Sequence, residues 1–130
     1  MKRKVLVTAA VLVGLLAVAA VFFKLRYDRM VRTIENQVVE HVDLSSLENG
    51  VYSGSFGDFL IQVSLEVTVS DGRMTDITVT EQQSGPGYEA RETIDRILEA
   101  QSPAVDAVSG ATGSSRCIMI SVYRALTGED

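Results

Sequence analysis

The sequence has little of several residue types, and each shortage excludes a class of protein. Of its 130 residues none is tryptophan, two are proline, and one each is cysteine and histidine. Cys117 has no partner within the chain, which excludes an intramolecular disulfide framework. The acidic residues are spread along the chain without an acid–base pair or a metal-binding cluster, so we expect neither catalytic nor metal-ligating residues. At roughly 100–150 residues per domain, the length allows one small domain.

The charge of the chain is divided between two regions of opposite sign. Residues 1–35 hold seven Lys or Arg and two acidic residues, which gives +5. Residues 36–130 hold five Arg and fifteen acidic residues, which gives −10. Because an acidic surface repels a phosphate backbone, we expect no nucleic-acid binding by the C-terminal region.

An uncharged run near the N-terminus predicts a membrane anchor. The nineteen residues from Val5 to Phe23 carry no charge, and a helix of that length roughly matches the hydrocarbon core of a bilayer. A cleaved signal peptide ending at Ala19 and Ala20 is the alternative, but the apolar run continues past these small residues. The pattern favours an uncleaved single-pass anchor over residues 1–24, inserted in a lipid bilayer. Basic residues flank both ends of the run, so the positive-inside rule gives no orientation.

Residues 25–47 predict a stalk helix and a linker. Apolar residues recur four positions apart, which predicts a helix that ends near Asp43. These residues are Met30, Ile34, Val38 and Val42. A plain stalk that lifts the domain away from the lipid is favoured over an amphipathic helix that binds a partner.

Residues 48–130 predict one domain that begins with three strands. Gly50–Phe56 predicts a short strand. From Phe59 to Ser70 apolar and polar residues alternate almost without exception, which predicts a long strand with one buried face. Asp71-Gly72 predicts a two-residue hairpin turn, and Met74–Glu81 predicts the returning strand.

Two helices are predicted to cover the apolar face of this sheet. They extend roughly over Glu89–Ala100 and Ser114–Leu126, and both carry apolar residues at helical spacing. An antiparallel sheet with helices segregated to one side is an α+β fold. About a hundred residues are enough for such a core to fold alone.

The loop before the last helix contains residues that point to a ligand. Gly110, Ala111 and Gly113 let another group approach the backbone closely. The start of a helix offers unpaired N–H groups and the positive end of the helix dipole, and phosphate is a common occupant. The loop lacks lysine and does not match the P-loop pattern, which argues against nucleotide hydrolysis. A plain helix cap by Ser114 is the alternative, and the small residues alone favour it.

The order of residues in this loop is more specific than its composition. Asp106-Ala107-Val108-Ser109-Gly110-Ala111-Thr112 follows the pattern D-x-x-[ST]-G-A-T, which resembles the flavinylation motif of the FMN-binding domain family. That family includes the periplasmic flavin subunits of the Rnf and sodium-pumping NADH:quinone reductase complexes. The resemblance spans about residues 48–126, because Gly50–Gly54, the Asp71-Gly72 turn and Gly85-Pro86-Gly87 fall where family members carry similar features.

The resemblance implies that Thr112 is the acceptor of covalently bound FMN. In this family a dedicated flavin transferase takes FMN from FAD and joins its phosphate to the threonine hydroxyl as a phosphoester. Gly110 and Ala111 would keep the loop bare enough to enter the transferase. The hydroxyls that would hydrogen-bond the phosphate oxygens belong to Ser109, Ser114 and Ser115.

The remaining site residues have less definite roles in this resemblance. Asp106 would order the loop or be recognised by the transferase, and a structural Asx turn is the alternative. In the loop Gly85-Pro86-Gly87-Tyr88 the glycines would let the backbone approach the isoalloxazine ring, and Tyr88 would stack on the ring or pack under its own helix. The chain departs from the common pattern by having Ser114 and Gly85 where family members often have threonine.

Together these features predict a membrane-anchored electron-transfer flavoprotein, with its domain outside the cytoplasm and no enzymatic activity of its own. Its expected partners are the flavin transferase, a membrane-bound electron donor and an extracytoplasmic acceptor or reductase. The alternative is a membrane-anchored binding or interaction module that binds FMN non-covalently or not at all.

Overall fold

The first element of the structure is a helix that extends well beyond the apolar run. The computed structural model describes residues 1–85, 87 and 89–128, and it begins with helix α1 at Lys2–Glu35. This helix is long and apolar enough to cross a membrane, and none of its most apolar 18-residue stretch is buried in the protein. The buried residues of α1 are Met30 and Ile34, one turn apart near its end. The last turns of α1 therefore pack against the domain, while its apolar part extends away from it.

The prediction of a helix that continues to Asp43 is wrong, because α1 ends at Glu35. Residues 36–43 form neither helix nor strand, and Val39 and Val42 pack on the core from this segment. β-Branched valines favour extended backbone over helix. Since the end of α1 and the segment after it both lie on the domain, they do not form the separate stalk that the sequence predicts.

Three strands form one antiparallel sheet, in the order in which they occur in the chain. They are β1 (Gly50–Asp58), β2 (Ile61–Ser70) and β3 (Arg73–Gln83). The alternation in β2 is confirmed, since every second residue from Val63 to Val69 is buried. The Asp71-Gly72 hairpin is also confirmed: the two residues have φ of 52° and 74°, as a type I′ turn requires.

The sequence does not signal the turn between β1 and β2. The alternating pattern places Phe59 in a strand, but Phe59 has φ of 52° and forms the turn together with Leu60. Its ring packs against Phe23 of α1, with 5.5 Å between the ring centroids, and the Arg26 guanidinium lies 4.9 Å from its centroid. A left-handed backbone is unfavourable for a bulky residue. Tertiary contacts with α1, which no local pattern reveals, therefore support this turn.

Two further helices cover one face of the sheet, as predicted. They are α2 (Glu92–Ala100) and α3 (Thr112–Thr127). The first begins three residues later than expected, because Ala90 has a left-handed φ of 55°. Helix α3 approaches the sheet closely at Gly54, where a Cβ atom would lie 2.1 Å from the Ser121 carbonyl oxygen. The α+β fold is confirmed, and its core lies between α3 and the apolar face of the sheet.

Candidate functional site

A cleft lies where the last turns of α1 meet the beginning of α3. Its volume is about 610 Å³, which falls within the range of small-molecule sites, roughly 300–1,000 Å³. Four segments line it: the end of α1, the β1–β2 turn, the loop after β3 and the loop that leads into α3. The fold thus brings together the two glycine-bearing loops that the sequence singles out.

The loop that leads into α3 forms one wall of this cleft. Gly110, Ala111, Thr112, Gly113 and Ser114 all line it. Thr112 is the first residue of α3 and is exposed. Its backbone N–H belongs to the end of the helix that has no intrahelical partners. Unpaired amides and the helix dipole attract an anion to this wall, next to the Thr112 hydroxyl.

The small residues of the loop leave room for a ligand. Gly110 has φ of 81°, and a Cβ atom there would meet nothing within 4 Å, so the cleft stays open at this point. At Gly113 a Cβ atom would lie 2.9 Å from Cδ1 of Ile61, on the β1–β2 side of the cleft. A larger residue at position 113 would therefore displace that wall. Ser114 is 3% exposed and places a small polar side chain at the buried side of the cleft.

Ser115 has a structural role that the sequence does not predict. Its side chain is fully buried, and its hydroxyl donates a hydrogen bond to the Ala111 carbonyl oxygen at 2.7 Å. The Ser115 hydroxyl oxygen in turn accepts a hydrogen bond from the Val108 backbone N–H at 2.9 Å. A buried hydroxyl that already donates one hydrogen bond and accepts another is not accessible to a phosphate oxygen. Ser115 therefore braces the loop across its base, in place of the phosphate contact expected from the family resemblance.

The beginning of the loop lies away from the cleft. Asp106 and Ser109 are exposed and do not line it. Arg96 of α2 holds this part of the loop by donating to the carbonyl oxygens of Asp106 and Ala107, at 3.0 and 3.1 Å. The backbone of Asp106 is thus fixed while the residue stays at the surface. A single arginine on a helix gives no local signal of this role, so the sequence does not reveal it.

The loop after β3 reaches the cleft through one of its predicted residues. Gly85 lines the cleft, whereas Gly87, with φ of 82°, does not. Pro86 and Tyr88 lie outside the described residues, so the stacking expected of Tyr88 stays a prediction.

The described lining of the cleft contains one cation, Arg116, and one anion, Glu35. Arg116 lies four residues after Thr112, and residues at this spacing share one face of a helix. Its guanidinium donates to the carbonyl oxygens of Ile34 and Gln37, at 3.5 and 2.7 Å, which joins α3 to the end of α1. Arg116 therefore adds positive charge on the face of α3 that carries Thr112.

The end of α1 forms a wall of the cleft, a role in the site that the sequence does not predict. The residues of α1 that line the cleft are Tyr27, Met30, Val31, Ile34 and Glu35. They occupy positions i, i+3, i+4, i+7 and i+8 and so lie on one face of the helix. The sequence does signal this face, because apolar residues recur every four positions after the uncharged run. Without knowledge of the fold, the same recurrence favours a stalk helix.

Cys117 lies one turn into α3 and does not line the cleft. It is fully buried, and loss of solvation raises the pKa of its thiol to about 12. A thiol that does not ionise near neutral pH is a poor nucleophile, so Cys117 acts as a small core residue. Among the residues that the structure describes, no group of three or more His, Cys, Asp or Glu is placed to hold a metal ion.

Comparison with known proteins gives a match over the part of this site that lies from Leu60 onward. A family model described as FMN-binding domain matches residues 60–127, which is more than half of the chain. The matched range contains both glycine-bearing loops and all of α3. No curated protein matches the chain.

Proposed function

Because the chain belongs to the FMN-binding domain family and has FMN as its cofactor, we propose that it carries FMN covalently on Thr112 and acts in electron transfer. The bond is a phosphoester between the FMN phosphate and Oγ1 of Thr112. The position of Thr112 supports this proposal most strongly. It is an exposed hydroxyl residue at the start of a helix, in the wall of a cleft of about 610 Å³.

The residues around the cleft fit FMN in both its parts. A phosphate group would be held by the backbone amides at the start of α3, by the Ser114 hydroxyl and by the positive charge of Arg116. A flat apolar ring system would be held by aliphatic side chains of the lining, among them Leu60 and Ile61. Small-molecule sites generally combine a mostly apolar lining with a few polar groups. The described lining has this composition.

Attachment requires a separate flavin transferase with FAD as its co-substrate. Oγ1 of Thr112 forms a bond to the FMN phosphorus of FAD, the bond from that phosphorus to the bridging oxygen breaks, and AMP leaves. The hydroxyl proton passes to a base of the transferase, and no group is oxidised or reduced. For this reaction the chain must present an exposed hydroxyl on an accessible loop, which Thr112 with Gly110 and Ala111 provides.

We propose that the protein is an electron carrier and has no substrate of its own. FMN supplies the redox chemistry when bound, and the protein sets the position and exposure of the flavin. Its partners are a membrane-bound electron donor and an extracytoplasmic acceptor or reductase. Cys117, the one cysteine of the sequence, supplies no redox group to this task, since it is buried in the core.

Helix α1 serves as a single-pass anchor, with the domain outside the cytoplasm. Its length and apolar composition support the anchor. A covalent bond to FMN would suit this location, because a flavin that dissociates outside the cell is lost by diffusion. The net charge of −10 on residues 36–130 suits a domain that lies in water next to the membrane.

The covalent linkage can be tested by substituting Thr112. Thr112→Val removes the hydroxyl with little change in side-chain shape. We expect the full-length chain, produced together with a flavin transferase, to give a band on a denaturing gel that fluoresces under ultraviolet light. We expect no fluorescence from Thr112→Val, because the oxygen that forms the phosphoester is absent.

Thr80→Val is the matched control, since Thr80 is an exposed threonine on β3. It should fluoresce as strongly as the unmodified chain. A fluorescent band that persists in Thr112→Val would place the flavin on another residue. Flavin that copurifies with the unmodified chain and is released on denaturation would indicate non-covalent binding instead.

A further inference from the structure

The cleft that contains Thr112 is completed by the helix that anchors the chain. We define the α1 wall as the residues of α1 that line the cleft: Tyr27, Met30, Val31, Ile34 and Glu35. The family match begins at residue 60, so this wall lies outside the matched domain. We propose that the α1 wall is part of the FMN site, with Tyr27 and Val31 in contact with the bound flavin. This proposal rests on the proposed function of Thr112.

Tyr27 and Val31 are the members of the α1 wall that offer an apolar surface to a ligand. Met30 and Ile34 are 1% and 2% exposed and belong to the core. Tyr27 is 44% exposed, and Val31 is half-buried. Because these two residues are one turn apart, they form a continuous aromatic and aliphatic surface on the cleft side of the helix. Such a surface gains free energy when an apolar ring system displaces water from it.

The α1 wall is fixed at its membrane end by an ion pair. The two guanidinium nitrogens of Arg26 donate to the two carboxylate oxygens of Asp58, and the Nη1–Oδ2 distance is 3.0 Å. The side chains are 30% and 20% exposed, respectively. A bidentate pair of this kind restricts orientation as well as distance. Arg26 directly precedes Tyr27, so the pair positions the first residue of the wall.

The other end of the α1 wall is fixed by the helix that presents Thr112. Arg116 of α3 donates to the carbonyl oxygen of Gln37 at 2.7 Å, two residues after α1 ends. Because Arg116 and Thr112 share one face of α3, this bond also sets the distance between the wall and the acceptor hydroxyl. The cleft therefore has fixed sides, formed by α1 and by the loop.

The location of the α1 wall places the site close to the membrane surface. The uncharged run ends at Phe23, and Tyr27 follows one helical turn later, a rise of about 6 Å. A flavin in contact with Tyr27 would thus lie where α1 leaves the bilayer. This position suits electron exchange with a donor that is itself in the membrane.

The test compares variants of the full-length, flavinylated protein in detergent. Tyr27→Ala and Val31→Ala remove parts of the α1 wall, whereas Tyr27→Phe keeps the ring. Leu25→Ala is the matched aliphatic control, since Leu25 is on the same helix, is 62% exposed and does not line the cleft. Denaturing gels measure the covalent flavin, and iodide quenching of flavin fluorescence in the folded protein measures its exposure.

We expect the bimolecular iodide quenching constant, which is the Stern–Volmer constant divided by the flavin fluorescence lifetime of the same variant, to rise about twofold or more in Tyr27→Ala and Val31→Ala. The reason is that a closed site buries most of its ligand and a missing wall exposes it. Tyr27→Phe and Leu25→Ala should match the unmodified chain. An unchanged constant in both wall variants overturns the proposal while the linkage to Thr112 stands. An equal rise in Leu25→Ala also overturns it, because general loosening of the helix would then account for the effect. An unmodified chain without a fluorescent band contradicts the covalent linkage and the α1 wall together.

Discussion

Three residues at the start of α3 have separate roles, although they lie within little more than one turn. Thr112 is exposed in the cleft, Ser115 is buried as a brace of the loop, and Arg116 bonds to the end of α1. The motif around Thr112 could be recognised from the sequence because its residues are consecutive. The roles of Ser115 and Arg116 could not, because they depend on which side of α3 faces the core and which faces α1.

The brace formed by Ser115 can be tested with Ser115→Ala. This substitution removes the bond to the Ala111 carbonyl and leaves the Val108 N–H without its partner. An unpaired, largely buried donor costs about 1–3 kcal/mol. We expect the free energy of unfolding to fall by that amount in a urea titration of the full chain in detergent. Thiol labelling of Cys117, which is fully buried when the domain is folded, reports the unfolded fraction.

Ser109→Ala is the control for this measurement, because Ser109 is an exposed serine in the same loop. An exposed substitution of this kind changes stability by no more than about 0.5 kcal/mol. If Ser115→Ala and Ser109→Ala unfold at the same urea concentration, the brace contributes nothing.

Among the helices, strands and turns, the sequence predicts well those that a short stretch of residues identifies by itself. The buried face of β2 follows from the two-residue period of its apolar residues, and this prediction is confirmed. The turn at Asp71-Gly72 follows from two residue types that tolerate a positive φ, and it is confirmed as well. The sequence predicts neither the end of α1 nor the turn at Phe59. Each depends on a contact distant in sequence: Arg116 with the end of α1, and Phe59 with Phe23 and Arg26.

The contact between α1 and the β1–β2 turn can be tested through Asp58. The hydrogen bond from Arg26 holds the pKa of the Asp58 carboxyl below its ordinary value. Asp58→Asn removes the charge, and because the pair is partly exposed we expect amide hydrogen exchange in residues 26–35 to become only about two- to fivefold faster. The double reversal Arg26→Asp with Asp58→Arg should restore part of the protection. Exchange that is unaffected by Asp58→Asn would show that the ion pair does not hold α1.

The same pair predicts the direction of a pH effect. Since the folded pKa of Asp58 is lowered, its stabilising effect is present above the ordinary carboxyl value of about 3.9 and is lost as pH falls through the lowered value. The difference in exchange between the unmodified chain and Asp58→Asn should therefore be the same at pH 7 and pH 5. It should disappear only below the lowered pKa. A difference that is lost between pH 7 and pH 5 would contradict this assignment.

At the scale of the whole molecule, the basic N-terminal region and the acidic domain meet at the cleft. Composition distinguishes the two regions, with +5 on residues 1–35 and −10 on residues 36–130. It does not show that they share a site, because that depends on the docking of α1 beside α3. The family match identifies the cofactor, and the packing of α1 explains how a helix outside the matched range lines the same cleft.

The proposed covalent attachment of FMN to Thr112 is tested most directly by mass spectrometry of the full-length protein produced with a flavin transferase. Trypsin cleaves after arginine, and Arg96 and Arg116 bound a peptide of residues 97–116 that contains Thr112. We predict that this peptide is heavier by the mass of FMN less one water, and that its fragment ions place the addition on Thr112. An unmodified peptide, or an addition on any other residue, would contradict the account.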